Sequence, residues 1–155
     1  MFRSIAIVFL ICISGAVSSC STNEKGLDDP RRQLTDYISK SFAVRTIDDR
    51  RDLLDHLGGE AKSRLAAWSD DQFREAFIDS KKQFIKLAIQ ETKSLSQAEV
   101  NITYELTYLD QSKGRDAKVT NKKLAQLKLE QGRWLIGEVR NIKELVEYRN
   151  EMSLP

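Results

Sequence analysis

From Asp29 onward the apolar positions recur first at helical spacing and then at strand spacing. Leu34, Tyr37, Ile38 and Phe42 form one helical stripe behind Asp29-Pro30, a capping residue followed by a proline suited to the first helical position. A second helix is expected from Thr46, with Asp49 three residues on, carrying Ile47, Leu53, Leu54 and Leu57 to a stop at Gly58-Gly59. Ala61, Leu65 and Trp68 mark a short third helix. Ser69 with Gln72 is a capping-box signature for a fourth, which would bury Phe73, Ala76 and Phe77.

After Ser80 the period drops to two. Ile85, Leu87 and Ile89 alternate with polar neighbours, and a polar stretch from Thr92 to Gln97 follows. The clearest strand runs from Ala98 to Leu109, where Val100, Ile102, Tyr104, Leu106 and Tyr108 share one face. Gln111 to Asp116 reads as a turn. A third strand runs from Val119 towards Leu129, and its alternation slips at Lys122-Lys123, the mark of a bulge. Glu130-Gln131-Gly132 turns the chain into a fourth strand through Trp134 and Ile136. Asn141 then reads as the cap of a short C-terminal helix with Ile142, Leu145 and Val146 inward.

Helices followed by an antiparallel meander define an α+β fold: N-terminal helices packed on a sheet of about four strands. The length of 155 residues suits one domain, and the expected boundaries are a leader over 1–19, a tether over 20–28 and the domain over 29–155.

Composition narrows the chemistry. Lys+Arg number 25 against 23 Asp+Glu, a balance that gives no support to nucleic-acid binding. His56 is the single histidine, which removes multi-histidine metal sites. At a helix end it reads as a cation favoured by the dipole. Of the two cysteines, Cys12 lies in the leader and Cys20 at its exit, so neither a disulfide nor a thiolate metal site is expected. No metal or other cofactor is expected. Glu105 with Asp110 or Glu130 makes a poor carboxylate pair, because Glu105 falls on the face opposite Tyr104.

The leader itself carries a positive tip at Arg3, an apolar run from Ile5 to Ile13 and then Val17-Ser18-Ser19-Cys20. The apolar run is shorter than the roughly 20 residues that span a bilayer. The last four residues resemble the lipobox of bacterial lipoproteins. The resemblance implies cleavage before Cys20, acyl chains on that residue, and a domain held close to an envelope membrane. Two or more chains suffice for stable anchoring. Ser21, rather than Asp, after the cysteine implies the outer membrane, facing the periplasm.

The Ser69–Phe77 helix, the Val100–Tyr108 strand and the segment Leu127-Lys128-Leu129-Glu130-Gln131-Gly132-Arg133-Trp134-Leu135-Ile136 resemble the nuclear-transport-factor-2-like superfamily, in particular its small envelope lipoproteins. The resemblance implies a curved sheet wrapping a helix into a cone whose mouth can hold a ligand. Enzymes of that superfamily use Asp, Tyr and His inside the cone, a set this sequence lacks. The candidate pocket is Tyr104 and Tyr108 with Trp134, the phenols orienting an apolar ligand; the plainer alternative is sheet core with hydroxyls at its rim. The expected function is a non-catalytic binding or scaffold domain with an envelope protein, or a second copy of itself, as partner. A small apolar ligand or lipid in the cone is the alternative.

The lipobox has a direct test. Cys20→Ala should abolish acylation and release any processed protein into the soluble fraction; acyl modification that persists in this variant refutes the assignment.

Overall fold

The computed structural model describes residues 29–114 and 117–148; the leader, Cys20, the tether and the end of the chain lie outside them. Helix α1 spans Pro30–Ala43. Its start is set as expected, with the Asp29 carboxylate accepting from the Arg31 amide at 2.9 Å and Pro30 opening the first turn. A single 3₁₀ turn, Ile47–Asp49, leads into α2, Arg50–Leu54. Here Asp49 folds back so that its carboxylate accepts from the Arg45 and Thr46 amides at 2.8 and 2.9 Å. Helix α3 is Gly59–Ala66 and α4 is Asp70–Phe73, which continues as a π-helical turn, Arg74–Ile78.

The Ser69 capping box is present in both directions: Gln72 donates its amide to Ser69 Oγ at 3.2 Å, and the Gln72 side-chain oxygen accepts from the Ser69 amide at 2.9 Å. It delivers Phe73 into the core with no exposed surface. Arg50 fastens this turn to α2: its guanidinium lies 4.6 Å from the Phe73 ring centroid and donates to the Trp68 carbonyl and the Asp70 carboxylate.

Four antiparallel strands follow in sequence order: β1, Lys82–Ser96; β2, Glu99–Asp110; β3, Lys118–Glu130; β4, Arg133–Glu147. The α+β class read from the sequence is the class observed. In β2 the expected face is the buried one, with Val100, Ile102, Tyr104, Leu106 and Tyr108 all under a tenth exposed. The β3–β4 turn is two residues, Gln131 and Gly132, both at positive φ, the conformation that matches strand twist in a tight hairpin.

The two outer strands are irregular in a way the two inner ones are not. The β2–β3 register runs without interruption from Glu99↔Lys128 to Leu109↔Lys118. Pairing of β1 to β2 shifts three times, leaving Ile85, Gln90 and Leu95 as extra residues; β4 shifts at Gly137 and again at Ile142. Each extra residue bends its strand and increases its twist.

Those bulges explain two departures from the sequence reading. Residues 141–147 continue β4 instead of forming a C-terminal helix. The second bulge breaks the alternation, so apolar residues at 142, 145 and 146 acquire helical spacing although their backbone is paired with Lys118–Lys123. Of the three, Val146 packs on the core, while Ile142 and Leu145 are exposed. In β1 the polar residues from Thr92 to Ser96 remain in the strand, because this edge strand faces solvent over most of its length.

The Gly-Gly pair also acts differently from its expected role as a stop. Helix α2 ends at Leu54; Gly58 precedes α3 and Gly59, at φ +47°, is its first residue. Between them the chain bridges to the edge of β4, the Gly58 amide donating to the Ile136 carbonyl at 2.9 Å and the Ile136 amide to the His56 carbonyl at 3.0 Å. A Cβ on Gly58 would sit 3.0 Å from Leu135 Cβ, too close without displacement.

His56 is buried at this crossing, 7% exposed, with Nδ1 unpaired and its ring 6.4 Å from that of Tyr37. Burial, reinforced by Lys40, holds its pKa below the ordinary 6.5, so the neutral ring is favoured in place of the expected dipole-stabilised cation. The unfolded chain therefore takes up this proton first as the medium is acidified. The stability tied to the neutral imidazole is complete above about pH 6.5 and declines below it, until the folded-state imidazole also protonates. Denaturant midpoints measured between pH 7.5 and 5 should fall with pH, and His56→Gln should flatten that slope; an unchanged slope refutes the role assigned to the ring.

Candidate ligand cleft

The continuous β2–β3 ladder sets what the sheet presents to the helices. Counting along β3 in steps of two places Val119, Asn121, Lys123, Ala125 and Leu127 on the inward face. No slip occurs within this strand; the irregularity near Lys122-Lys123 is real, but the extra residue is Ile142 on β4. Two polar bands thus cross the inner face. Tyr104 pairs with Lys123 and Lys123 with Asn141; Leu106 pairs with Asn121 and Asn121 with Glu144.

Over these bands α1 and the Trp68–Phe77 segment stand off the sheet, leaving a cavity of about 490 Å³. Its walls are Tyr37, Ile38, Ser41 and Phe42 from α1, Trp68, Ala76, Phe77 and Ser80 from the α4 segment, and Lys82, Tyr104, Leu106, Tyr108, Lys123, Val139 and Asn141 from the strands. This size and this mixture of aromatic walls with a few polar groups suit a small ligand. Of the three pocket residues expected from the sequence, Tyr104 and Tyr108 meet in the cleft. Trp134 does not line it: it sits beside the Gln131-Gly132 turn, opposite Leu129, and packs on the core.

The polar groups differ in how far their needs are met. Asn121 donates its amide to the Tyr108 hydroxyl at 3.1 Å, while its own Oδ1 is buried without a partner. Ser41 spends its hydroxyl on the Ile38 carbonyl at 2.7 Å. Glu144 is paired with Lys113, which holds its carboxyl below the usual carboxylate range. Burial pushes the phenols of Tyr37 and Tyr104 up, and Tyr108 is raised by burial together with Glu144 and Asp110. All three are therefore neutral at physiological pH, with hydroxyl protons to offer.

Lys123 is the unexpected member. It is half-buried, and its ammonium has neither a hydrogen bond nor an ion pair among the described residues. Burial lowers its pKa, with nearby Lys82 lowering it further and Glu144 opposing. Lys82 lies 6.0 Å from the centroid of the Tyr108 ring. In the sequence both lysines belong to dibasic pairs, Lys81-Lys82 and Lys122-Lys123, whose charge suits solvent and anionic lipid head groups equally. The usable signal was the phase of β3: Lys123 lies two and four residues before Ala125 and Leu127.

The carboxylates considered from sequence do not converge. Glu105 pairs with Lys122 on the outer face, Glu130 is exposed, and Asp110 is buried while accepting from the Ser112 amide at 3.1 Å.

The sequence matches no protein-family model and no curated protein. Among solved structures, it is similar to the solution structure of RPA3114, a SEC-C motif containing protein from Rhodopseudomonas palustris, at 15% identity and a TM-score of 0.49, over 73% of this chain and 75% of that one. It is similar also to the crystal structure of the intermembrane space region of the chloroplast protein ARC6, at 16% identity and a TM-score of 0.49, over 73% of this chain and 95% of that one. At such levels neither likeness carries a functional argument.

Proposed function

We propose that this chain is a non-catalytic binding domain, tethered to a bacterial envelope membrane through acylated Cys20, whose ligand is a small, largely apolar molecule seated in the cleft. The observation that supports it is the cleft itself. Apolar side chains from two layers surround about 490 Å³ of space at the place where a one-sided sheet would normally be sealed by its helices. The polar groups on its walls are phenols, hydroxyls, an amide and two lysines, which suit orienting a bound molecule. The anchor rests on the lipobox resemblance, and the proposed kinship with the nuclear-transport-factor-2-like superfamily on the resemblance of the Ser69–Phe77, Val100–Tyr108 and Leu127–Ile136 segments.

A protein partner is the second reading. It is favoured by Ile142, Leu145 and Tyr148, exposed apolar residues along and just after the last part of the edge strand β4. Under that reading Leu145→Glu should abolish any self-association seen by sedimentation velocity.

Trp68 lines the cleft and the other tryptophan, Trp134, does not. In the full chain carrying Cys20→Ala and Trp134→Phe, Trp68 is therefore the sole indole donor. The neutral fluorophore N-phenyl-1-naphthylamine should quench it saturably by energy transfer. Adding Ala76→Trp, which fills the cleft, should weaken binding of the same probe at least tenfold, read from naphthyl emission. Equal binding with and without the filling residue sinks the cleft reading.

A further inference from the structure

The charges inside the cleft are all of one sign. The chain carries 23 Asp+Glu, yet among the described residues the charged groups lining the cavity are Lys82 and Lys123 alone. The acidic groups around it do not line it: Asp110, which acts on Tyr108, accepts from the Ser112 amide at 3.1 Å. Glu144, on the inward face beside Asn121, is held by Lys113, and Glu75 belongs to the adjoining open hollow by Trp68 and Gln72.

Lys123 is placed where a free charge is costly. It rises from the third strand of the sheet, half-covered, between Tyr104 on β2 and Asn141 on β4; no described residue forms a hydrogen bond or ion pair with its ammonium, and Glu144, held by Lys113, acts on it only from a distance. A charged group removed from water without a partner destabilises the fold, and that deficit is removed when an anion arrives. The neighbours supply hydrogen-bond donors suited to the same anion: the Tyr104 phenol is held neutral by burial, and Asn141 offers a side-chain amide. Away from Lys123, Ile38, Phe42, Trp68, Ala76, Phe77, Leu106 and Val139 give the wall its apolar stretch, and the second charge, Lys82, is exposed.

Building on the cleft as a ligand site, we infer that its ligand is an amphiphilic anion: an apolar body against Phe42, Trp68 and Phe77, and one oxyanion head, carboxylate or phosphate, against Lys123. Lys82 adds attraction from the mouth of the cleft, where its ammonium remains hydrated. The head group and not the body fixes the orientation, because only one end of such a molecule meets an unanswered charge.

The test compares decanoate with 1-decanol, matched in chain length and different in head, by titration calorimetry on the full chain carrying Cys20→Ala. Decanoate should bind about ten- to a hundredfold more tightly, the range expected for hydrogen bonds to a charged group. Lys123→Met keeps the length of the side chain and removes its charge; it should erase that preference while leaving decanol affinity within about twofold. Lys82→Gln, at an exposed charge, should weaken decanoate by only about two- to threefold. Decyl phosphate against decanoate tells the two head classes apart, and preference for either over decanol supports the site. Equal affinity for decanoate and decanol overturns the anion site and leaves the apolar cleft standing. Failure of both to bind, with N-phenyl-1-naphthylamine also excluded, overturns the cleft itself. A Lys123→Met variant that retains the preference for decanoate assigns the charge elsewhere and overturns the role of Lys123.

Discussion

The unbroken β2–β3 ladder governs the rest of this molecule. With no register shift along it, side-chain parity is conserved over the whole of both strands, and every inward position on one is locked opposite an inward position on the other. One face thereby becomes a fixed row of Val100, Ile102, Tyr104, Leu106 and Tyr108, which must be covered. The same parity carries Asn121 and Lys123 inward whether or not their side chains favour burial, because a strand cannot turn one residue outward without turning all of them. The cleft's polar floor is a consequence of that rigidity.

Curvature comes from elsewhere. Extra residues occur in β1 and β4, the two outer strands, and are absent between β2 and β3. Extra residues of this kind bend and twist the margins on either side of a regular centre, and α1 and the Ser69-capped segment pack on the inward face between them. The helices close the end marked by Leu34, Leu53 and Phe73, all essentially unexposed, and leave the end marked by Tyr104 and Tyr108 open beside them. The crossing at Gly58 ties the helical layer to the β4 edge through two backbone hydrogen bonds and protects that stretch of edge from pairing with another chain.

What the sequence disclosed follows this division. Straight elements were legible: the alternation of β2, the Asp29-Pro30 start, the Ser69–Gln72 box and the tight hairpin at Gly132 each have a local cause written in adjacent residues. Bent elements were not. The bulge at Ile142 made Ile142, Leu145 and Val146 look helical, and polar Asn121 and Lys123 at inward positions made the alternation of β3 look as though it slipped. Half of the cleft was legible as well. Tyr104 and Tyr108 follow from β2 parity, whereas Trp134, on β4 opposite Leu129, lies at the other end of the same sheet face, a distance that strand parity does not encode. Lys123 escaped notice because a lysine among lysines ordinarily marks solvent, and only the phase of Ala125 and Leu127 argues otherwise. His56 was placed at a helix end by its sequence neighbours, but the bridge to Ile136 that buries it joins distant parts of the chain.

The strict neighbour order of the sheet bears on how the chain reaches this state. Each strand pairs with the one before it, and the β1–β2 and β3–β4 links are turns of two residues. Hairpins with such short closures are the low-entropy part of the search. The costly part is the return of the helical layer, since the His56–Gly58 crossing must find Ile136 after the entire meander has been laid down. In a chain made from its amino end, the helices emerge before the strands that cover Leu34, Leu53 and Phe73. Asn141, which lies beside Lys123 in the cleft, belongs to the last strand, so the cleft is whole only in a chain whose sheet is whole.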